Sequence, residues 1–228
     1  MRVVAVIPVK SVSERVESKN FRDFFAGESL FDLLINKLLN SNEIDEIYIS
    51  SNALDVKDKV ENLGCKFIQR SDEFCNNNVP WSDVIAYIAD SIPEDNNTAI
   101  AWCHTTSPLF DEYDEAVKFY KDSTKGGKFD GLVTVSELTE FIVSEKRQPI
   151  NYSWGPWHRY SQYLDTMYAI TGALFIAPKI EMVRNRYVIS KKPDFYMVPP
   201  LQSIDVDTEY DFKLAQLLMQ NKELLSNA

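Results

Sequence analysis

Five consecutive apolar residues, Val3 to Ile7, stand directly before Pro8 and are followed by a polar, basic stretch. An uninterrupted apolar run of this length is typical of a strand buried on both faces of a parallel sheet. Open α/β sheets bind ligands at the carboxyl ends of such strands. The sequence therefore predicts an anion-binding loop after Pro8, with a solvated surface loop as the alternative. Three cations of this loop, Lys10, Arg15 and Lys19, suit phosphate oxygens together with two of its serines.

The apolar pattern beyond this loop alternates between strands and helices. It predicts strands at 44–50, 65–68, 98–103 and 130–135, separated by helices that begin near 30, 54, 81 and 111. Ser29, with Asp32 three residues further on, is the predicted N-cap of the first of these helices, and Asp111 is the predicted N-cap of the fourth. Later elements are strands at 168–176 and 195–198, a short helix at 179–184, a strand at 203–207 and a helix at 209–225. Such alternation requires right-handed crossovers and indicates an α/β fold with a mainly parallel sheet and helices on both faces.

Residues 136–166 interrupt the alternation. Aromatic side chains are crowded there, at Tyr152, Trp154, Trp157, Tyr160 and Tyr163. A segment of this length without clear periodicity is usually functional or packed on a partner. We therefore expect residues 1–228 to form one domain with an inserted lobe at 136–166.

Composition excludes several classes of protein. A net charge of −10 argues against nonspecific nucleic-acid binding, which needs a basic surface. No signal-peptide pattern and no apolar run near 18 residues occurs, so we expect a cytoplasmic protein without a membrane partner. Cys65, Cys75 and Cys103 lack a paired spacing, which predicts reduced thiols. Two histidines are too few for a metal site built from several imidazoles.

Asp205 and Asp207 are the sharpest candidates for chemistry. Residues i and i+2 of a strand point to the same face, so both carboxylates would project together. Two adjacent carboxylates repel each other unless a cation neutralises them, and Mg²⁺ commonly takes one or two carboxylates plus phosphate oxygens. A solvated strand end is the alternative. Asp211 follows Thr208 by three residues, which is typical of a capping box and predicts a structural role.

The sequence from His104 to Pro108 brings an imidazole and three hydroxyls to the end of another predicted strand. Such a cluster can hold an anionic or polyhydroxylated acceptor. The alternative is a turn in which the hydroxyls of Thr106 and Ser107 satisfy local backbone groups.

Together these motifs resemble the cytidylyltransferases that activate acidic sugars, above all the acylneuraminate cytidylyltransferases. The resemblance extends over nearly the whole chain. Its motifs, in order, are Ile7-Pro8-Val9-Lys10 with Lys19-Asn20 (I-P-A-R with K-N), Ser50-Ser51-Asn52 (S-T-D), Arg70, Ser82-Asp83-Val84-Ile85, His104-Thr105-Thr106-Ser107-Pro108-Leu109 (Q-P-T-S-P-L), Thr171-Gly172-Ala173 (N-G-A) and Ile204-Asp205-Val206-Asp207 with Asp211-Phe212 (I-D-I-D with D-F).

This resemblance implies a Rossmann-like, GT-A-like nucleotidyltransferase fold in three layers, CTP and Mg²⁺ as requirements, and a homodimer that forms through the lobe at 136–166. It implies catalytic roles for Lys10, Lys19 and Asp207, and a metal site at Asp205 and Asp207. The implied nucleotide-binding residues are Lys10, Ser13, Arg15, Lys19, Asn20, Arg70 and Ser82. The implied acceptor-binding residues are His104, Thr106, Ser107, Arg159, Gln162 and Thr171.

The chain departs from the family pattern mainly in the acceptor motifs. Lys10 replaces an arginine and Glu14 a lysine in the first loop, whereas His104 and Thr171 replace a glutamine and an asparagine. A further family motif, R-R-Q-x-L-P, corresponds to the divergent sequence at 159–165. The resemblance implies cytidylyl transfer to a sialic-acid-like sugar acid, in surface polysaccharide biosynthesis. Because the acceptor motifs are altered, a phosphonate or phosphate monoester acceptor is the alternative.

The predicted reaction is in-line attack of the acceptor oxygen on the α-phosphorus of CTP, with release of pyrophosphate. A sugar hydroxyl would need a base, for which His104 is one candidate, whereas an anionic acceptor would need none. Two other functions stay open. Asp205-Val206-Asp207 satisfies the D-x-D motif of glycosyltransferases, and Val12 with Glu14 suits a nucleotide-binding protein without activity.

Overall fold

The computed structural model describes residues 1–11, 16–76 and 78–222. Ser13 and Arg15, two of the predicted nucleotide ligands, lie outside these described residues. The described strands are β1 (Val3–Pro8), β2 (Asp23–Phe25), β3 (Glu28–Ser29), β4 (Glu46–Ser51), β5 (Lys66–Gln69), β6 (Ala99–Cys103), β7 (Gly131–Leu138), β8 (Met167–Pro178) and β9 (Pro193–Met197). The described helices are α1 (Leu30–Leu39), α2 (Lys57–Asn62), α3 (Trp81–Ser91), α4 (Tyr113–Thr124), α5 (Lys179–Asn185) and α6 (Glu209–Gln220).

Strand β1 lies inside a seven-stranded sheet of order β5-β4-β1-β6-β8-β7-β9. It pairs in parallel with β4 and β6, while β8 runs antiparallel to both β6 and β7. Alternate β1 residues face opposite sides: Ile7 packs in a core with α1 and α4, and Val6 in a core with α3 and α5. The sheet therefore lies between two helical layers, which confirms the predicted α/β three-layer sandwich and its mainly parallel sheet.

Two capping boxes form where the sequence predicts them. Ser29 caps α1 through Asp32, and Thr208 caps α6 through Asp211. In each box the first side chain accepts the backbone N–H of the acidic residue, and the carboxylate of that residue accepts the backbone N–H of the cap residue. The structural role predicted for Asp211 is confirmed.

The predicted cap of α4 is wrong by one residue. Glu112 occupies the N-cap, and the carboxylate of Asp111 instead lies 2.7 Å from Nζ of Lys37. The ammonium of Lys37 also donates to the carbonyl oxygens of Pro108 and Phe110. Asp111 thus pairs with Lys37 of α1, which is distant in the sequence, and does not cap α4 as the local pattern predicts.

The strand predicted at 203–207 is also wrong. Pro200–Ser203 forms a 3-10 turn, and the residues from Ile204 to Asp207 are extended without belonging to the sheet. Burial still alternates there, because Val206 is fully buried with Phe212 in a third apolar cluster while Asp205 is exposed. The segment therefore keeps the alternating burial of a strand without pairing in the sheet.

A short hairpin, β2 with β3, precedes α1 and was not predicted. Its turn consists of Ala26 and Gly27, both with positive φ, 55° and 85°. Strands of three and two residues are too short for an apolar period, so only the glycine marks the turn.

The segment predicted as an inserted lobe contributes its first residues to the sheet, because β7 continues through Leu138 and pairs there with Met167 of β8. The lobe is defined as residues 139–166, which follow β7. Residues 139–166 contain no described helix of the α type and are held by local contacts. Asn151 is buried, accepts from the backbone N–H of Ile142 and donates to the carbonyl of Glu140. Rings of Phe141, Tyr152 and His158 pack together. The lobe leaves large side chains on its surface: Trp154, Trp157, Tyr160 and Tyr163.

All three cysteines are free thiols, with Cys65 and Cys103 buried and Cys75 partly exposed. Along 1–11, 16–76 and 78–222, helices long and apolar enough to span a bilayer are absent.

Candidate active site

A cleft of about 840 Å³ opens at the carboxyl edge of the sheet. Pro8 at the end of β1, Arg70 directly after β5 and His104 directly after β6 all line it. The loop after β1 and the segment before α6 contribute further charged side chains. The predicted site residues that line this cleft are Lys10, Lys19, Asn20, Arg70, His104, Thr106, Asp205 and Asp207. Eight residues from five segments of the sequence thus share one concave surface.

The peptide groups of Val206 explain how the two aspartates reach the cleft without a strand. The N–H of Val206 donates to the carbonyl of Thr106 over 2.8 Å. Its carbonyl accepts from Nζ of Lys19, also over 2.8 Å. The side chain of Val206 is fully buried, so Asp205 and Asp207 on either side of it both point into the cleft. A loop and a lysine side chain replace the neighbouring strand that the sequence pattern suggests.

Asp205 and Asp207 are close enough to influence each other's ionisation. Although Asp205 is exposed at the cleft surface, the protein around its carboxylate displaces water and raises its pKa, and the negative charge of Asp207 raises it further. The hydroxyl of Thr106 bonds to Asp205 and opposes this shift, as does the charge of Lys19. Nζ of Lys19 lies 3.9 Å from Oδ1 of Asp207, and its side chain is only 13% exposed. Thr106, predicted as an acceptor ligand, therefore contacts the acidic pair.

The two carboxylates are the oxygen donors that a divalent cation could use. In the described part of the chain, clusters of three or more His, Cys, Asp or Glu that could enclose a metal are absent. A cation at Asp205 and Asp207 would have to complete its coordination with phosphate oxygens or water, which is how proteins commonly bind Mg²⁺.

Arg70 is a buried cation at the base of the cleft. Its side chain is held in place by two contacts, because Nη2 donates to the carbonyl of Val9 and Nε donates to Sγ of Cys75 over 3.1 Å. The residue is 4% exposed, so its guanidinium reaches the cleft with a fixed orientation. Val9 follows β1 directly, and the contact joins the first loop to the loop after β5.

His104 uses both of its ring nitrogens inside the protein. The indole N–H of Trp102 donates to Nε2 over 2.9 Å, and the ring also bonds to the backbone of Gly172. An indole N–H is only a donor, so Nε2 must be unprotonated and Nδ1 carries the proton that Gly172 accepts. Burial lowers the pKa of His104 to about 4 with help from the charge of Lys19, although the bond to Gly172 and the charge of Asp207 oppose this shift. The imidazole is therefore neutral near pH 7.

A model of the cytidylyltransferase family matches residues 4–144, more than half of the chain. This chain belongs to the cytidylyltransferase family. The sequence resemblance to this family is confirmed, and with it a nucleotidyltransferase that uses CTP.

Curated relatives of this cytidylyltransferase are distant but extend over its whole length. A pseudaminic acid cytidylyltransferase of Campylobacter jejuni is 22% identical over 96% of both chains. An N-acylneuraminate cytidylyltransferase of Escherichia coli is 23% identical over 97% of this chain and 53% of the relative. A CMP-N,N'-diacetyllegionaminic acid synthase of Legionella pneumophila is 24% identical over 99% of this chain. The chain thus matches the full length of the first relative and about half of the second.

Solved structures support the same fold. A CMP-2-keto-3-deoxy-manno-octonic acid synthetase in complex with CTP superposes with a TM-score of 0.65 at 12% identity, over 97% of this chain and all of the other. A 4-diphosphocytidyl-2C-methyl-D-erythritol synthase from Anaerococcus prevotii has a TM-score of 0.62 at 11% identity, over 96% of this chain and 98% of that one. The Rossmann-like nucleotidyltransferase fold is therefore confirmed.

Five predicted ligands of the cytidylyltransferase lie away from the cleft lining. Ser82 is in the first turn of α3, beside the cleft residue Trp81. Ser107 is buried, and its Oγ has no hydrogen-bond partner among the described residues. Thr171 is buried in β8, where its hydroxyl bonds to Thr134 over 2.9 Å. The other two, Arg159 and Gln162, lie in the lobe.

One wall of the cleft was not predicted as part of the site. Its described residues are Phe74, Cys75, Asn76, Asn78, Val79, Pro80 and Trp81, and it continues into α3 at Val84. Trp81 belongs to the helical pattern of 81–91, yet its ring is half exposed and rests edge-on against Trp102 at 6.1 Å. An apolar residue in the first turn of a helix beside a ligand-binding loop is the only signal that could have identified it.

Proposed function

We propose that this cytidylyltransferase transfers CMP from CTP to a sialic-acid-like sugar acid and releases pyrophosphate. The observation that supports it most is the cleft itself, where Lys10, Lys19 and Arg70 face a pair of aspartates. Phosphate oxygens need local cations in a protein with a net charge of −10, and this cleft supplies them. The names of three relatives provide the acceptor class, since each acts on a sugar acid of this kind.

In this proposal the nucleotide lies along the edge formed by the first loop. Lys10, Lys19 and Asn20 bind the triphosphate, together with Ser13 and Arg15 of the same loop. Arg70, with Ser82 at the start of α3, lies near the cytidine. The fixed guanidinium of Arg70 can donate in one plane without losing side-chain entropy on binding.

The residues present suit Mg²⁺ as a further requirement. Asp205 and Asp207 would hold the cation, and it would neutralise their repulsion, which raises the pKa of Asp205. When bound, it would offset negative charge on the phosphate oxygens and the leaving pyrophosphate. Lys19 is anchored to Val206 between the two aspartates, so its charge stays beside the phosphates throughout the reaction.

The proposed step forms one bond and breaks another. An acceptor oxygen bonds to the α-phosphorus, the bond from that phosphorus to the bridging oxygen breaks, and the electron pair leaves with pyrophosphate. Lys10 and Lys19 hold the phosphates in line and stabilise the charge that develops on the leaving group.

His104 is unsuited to the role of general base, because one nitrogen receives the N–H of Trp102 and the other donates to Gly172. A sugar hydroxyl would have to give its proton to another group. This observation favours a second candidate acceptor, a phosphonate or phosphate monoester, whose oxygen is already anionic and needs no base.

We further propose a homodimer in which the exposed lobe of one subunit contacts the other subunit. Trp157 and Tyr160 are 78% and 74% exposed and stand close together in the sequence. Grouped exposed aromatic side chains are typical of a protein interaction surface. Arg159 stands between Trp157 and Tyr160 in the sequence, and Gln162 follows shortly after them. In the dimer, the lobe of one subunit would bring these two predicted acceptor ligands toward the cleft of the other subunit. The enzyme would work in the cytoplasm, where CTP is available.

The test is release of pyrophosphate from CTP and Mg²⁺ with a panel of acceptors. The panel contains N-acetylneuraminate, pseudaminic and legionaminic acids, 3-deoxy-octulosonate, several phosphonates and several phosphate monoesters. Turnover with sugar acids alone supports the first proposal, whereas turnover with phosphonates or phosphate esters alone favours the second candidate. CTP binding without pyrophosphate release under every acceptor would indicate a nucleotide-binding protein without activity.

A further inference from the structure

Asn20 and Thr105 contact each other at the wall of the cleft. The hydroxyl of Thr105 donates to Oδ1 of Asn20 over 2.8 Å. Both residues line the cleft, and they are only 7% and 5% exposed. One residue precedes β2 and the other follows β6, so the fold brings them together from positions 85 residues apart.

The contact decides which end of the Asn20 amide faces the cleft. An amide has an acceptor oxygen at one end and a nitrogen with two donors at the other. Because the oxygen receives the hydroxyl of Thr105, the Nδ2 donors point away from Thr105. No described residue accepts a hydrogen bond from these donors. Nδ2 is also not one of the buried side-chain atoms that lack a partner among the described residues, so it is accessible from the cleft. The donors are therefore open to a ligand.

The surroundings of Asn20 indicate what kind of ligand this is. Lys19, the preceding residue, contacts Val206 and lies near Asp207. An amide nitrogen at this place would face oxygen atoms of an anionic ligand, whereas a reversed amide would direct its oxygen at them and repel them. The backbone of Asn20 is fixed as well, because its carbonyl accepts from the N–H of Phe31. Rotation of the amide is thus the freedom that Thr105 removes.

We propose that Thr105 is a positioning residue for nucleotide binding, which holds the Asn20 amide with its donors toward an oxygen of CTP. The inference rests on the proposed function, since it takes the nucleotide as the ligand. In the motif Q-P-T-S-P-L, which residues 104–109 resemble, proline stands where this chain has Thr105. Proline has no hydroxyl, so the contact is a feature of this chain.

The experiment compares Thr105→Val with the wild-type enzyme, because valine has nearly the shape of threonine and cannot donate. We expect the KM for CTP to rise about five- to tenfold, which corresponds to the loss of one hydrogen bond, with kcat changed by less than about twofold. Thr105→Ser keeps the hydroxyl and should restore the wild-type KM. Thr98→Val is the matched control: this buried threonine directly precedes β6, at the far end of the same strand, and its loss should leave the KM unchanged.

A double-mutant cycle separates positioning from a general effect on stability. In an Asn20→Ala background, Thr105→Val should no longer change the KM for CTP, because no amide remains to be oriented. If the hydroxyl of Thr105 only stabilises the loop, its loss would instead lower Tm and change the KM by the same factor in both backgrounds. Asn20→Asp keeps an acceptor for Thr105 and should weaken CTP binding more than Thr105→Val does.

The outcomes distinguish the inference from the proposed function. A wild-type protein that neither binds nor turns over CTP overturns both. An active wild-type enzyme whose KM for CTP stays the same in folded Thr105→Val overturns the inference alone. If Thr105→Val does not fold, Asn20→Asp and Thr105→Ser decide: equal CTP affinity in Asn20→Asp and wild type contradicts the proposed orientation.

Discussion

Trp102 donates its indole N–H to Nε2 of His104 over 2.9 Å, and this contact assigns the tautomer of the only histidine at the cleft among the described residues. Trp102 is fully buried in β6, so the donor cannot move away. The other ring nitrogen bonds to the backbone of Gly172, a β8 residue with a φ of 76°. His104 therefore connects β6 to β8 as a neutral group.

This connection predicts how His104→Gln should behave. A glutamine amide can accept from Trp102 and donate to Gly172, so we expect pyrophosphate release to stay within about threefold of the wild-type rate. His104→Asn is too short to reach both partners and should lose activity and stability together. Steady-state rates and Tm values of the two variants test this, and a collapse of activity in folded His104→Gln would restore the base hypothesis.

The same residue predicts a pH dependence of stability. Its pKa is about 4 in the folded protein against 6.5 in the unfolded chain, so between these values the unfolded chain binds more protons. Stability should fall as the pH decreases from 6.5 toward 4, by up to about 3 kcal/mol from this group. Denaturant unfolding of wild type and His104→Gln at several pH values measures the difference. Equal slopes for both proteins would contradict the assignment.

Substitution of Asp205 or Asp207 should reduce activity without reducing the stability of the fold. Asp205→Asn and Asp207→Asn are expected to reduce pyrophosphate release about 100-fold or more, because each removes a ligand and a charge from the proposed Mg²⁺ site. Asp205→Asn should also raise Tm in EDTA, since the raised pKa of Asp205 shows that its charge is unfavourable in the fold.

The matched control for these two variants is Asp32→Asn. Asp32 is likewise an acidic residue, but it belongs to the capping box of α1 and is not part of the cleft lining. It should lower Tm, with a loss near 1 kcal/mol typical of capping changes, and leave turnover intact. Full activity of Asp207→Asn with Mg²⁺ present would exclude the proposed metal role.

The success of the sequence predictions depends on how local the determining contacts are. The β1 strand and the caps at Ser29 and Thr208 were predicted because apolar period and side-chain to backbone contacts act within a few residues. The strand at 203–207 was wrong because the partners of Val206 are Lys19 and Thr106, which are distant in sequence.

The same reasoning applies to the candidate site. Charged residues that the sequence places after strands line one cleft, since parallel strands bring their carboxyl ends to one edge. What the pattern could not supply was the internal use of polar groups. The hydroxyl of Thr171 binds Thr134, and the ring of His104 is taken up by Trp102 and Gly172.

Arg70→Lys should weaken CTP binding even though the charge is kept. The guanidinium bonds to both Val9 and Cys75, whereas an ammonium has no planar fork with which to hold the same orientation. We expect about a tenfold higher KM for CTP. The matched control is Arg2→Lys, because Arg2 makes a two-bond contact to Glu94 away from the cleft; it should affect Tm but not KM. Equal KM values for both variants would contradict the placement of Arg70 near the nucleotide.

The exposed aromatic rings of the lobe should determine whether the protein forms a dimer. Trp157→Asp with Tyr160→Asp places two charges where the proposed partner surface is apolar, so light scattering should show a shift from dimer to monomer. Because Arg159 and Gln162 would then be removed from the partner's cleft, the KM for the acceptor should rise while binding of CTP to the separated chain persists. Leu54→Asp, an exposed apolar residue outside the lobe, is the control and should stay dimeric. A wild-type protein that is monomeric at micromolar concentration and fully active would show instead that one chain completes the acceptor site without the lobe of another.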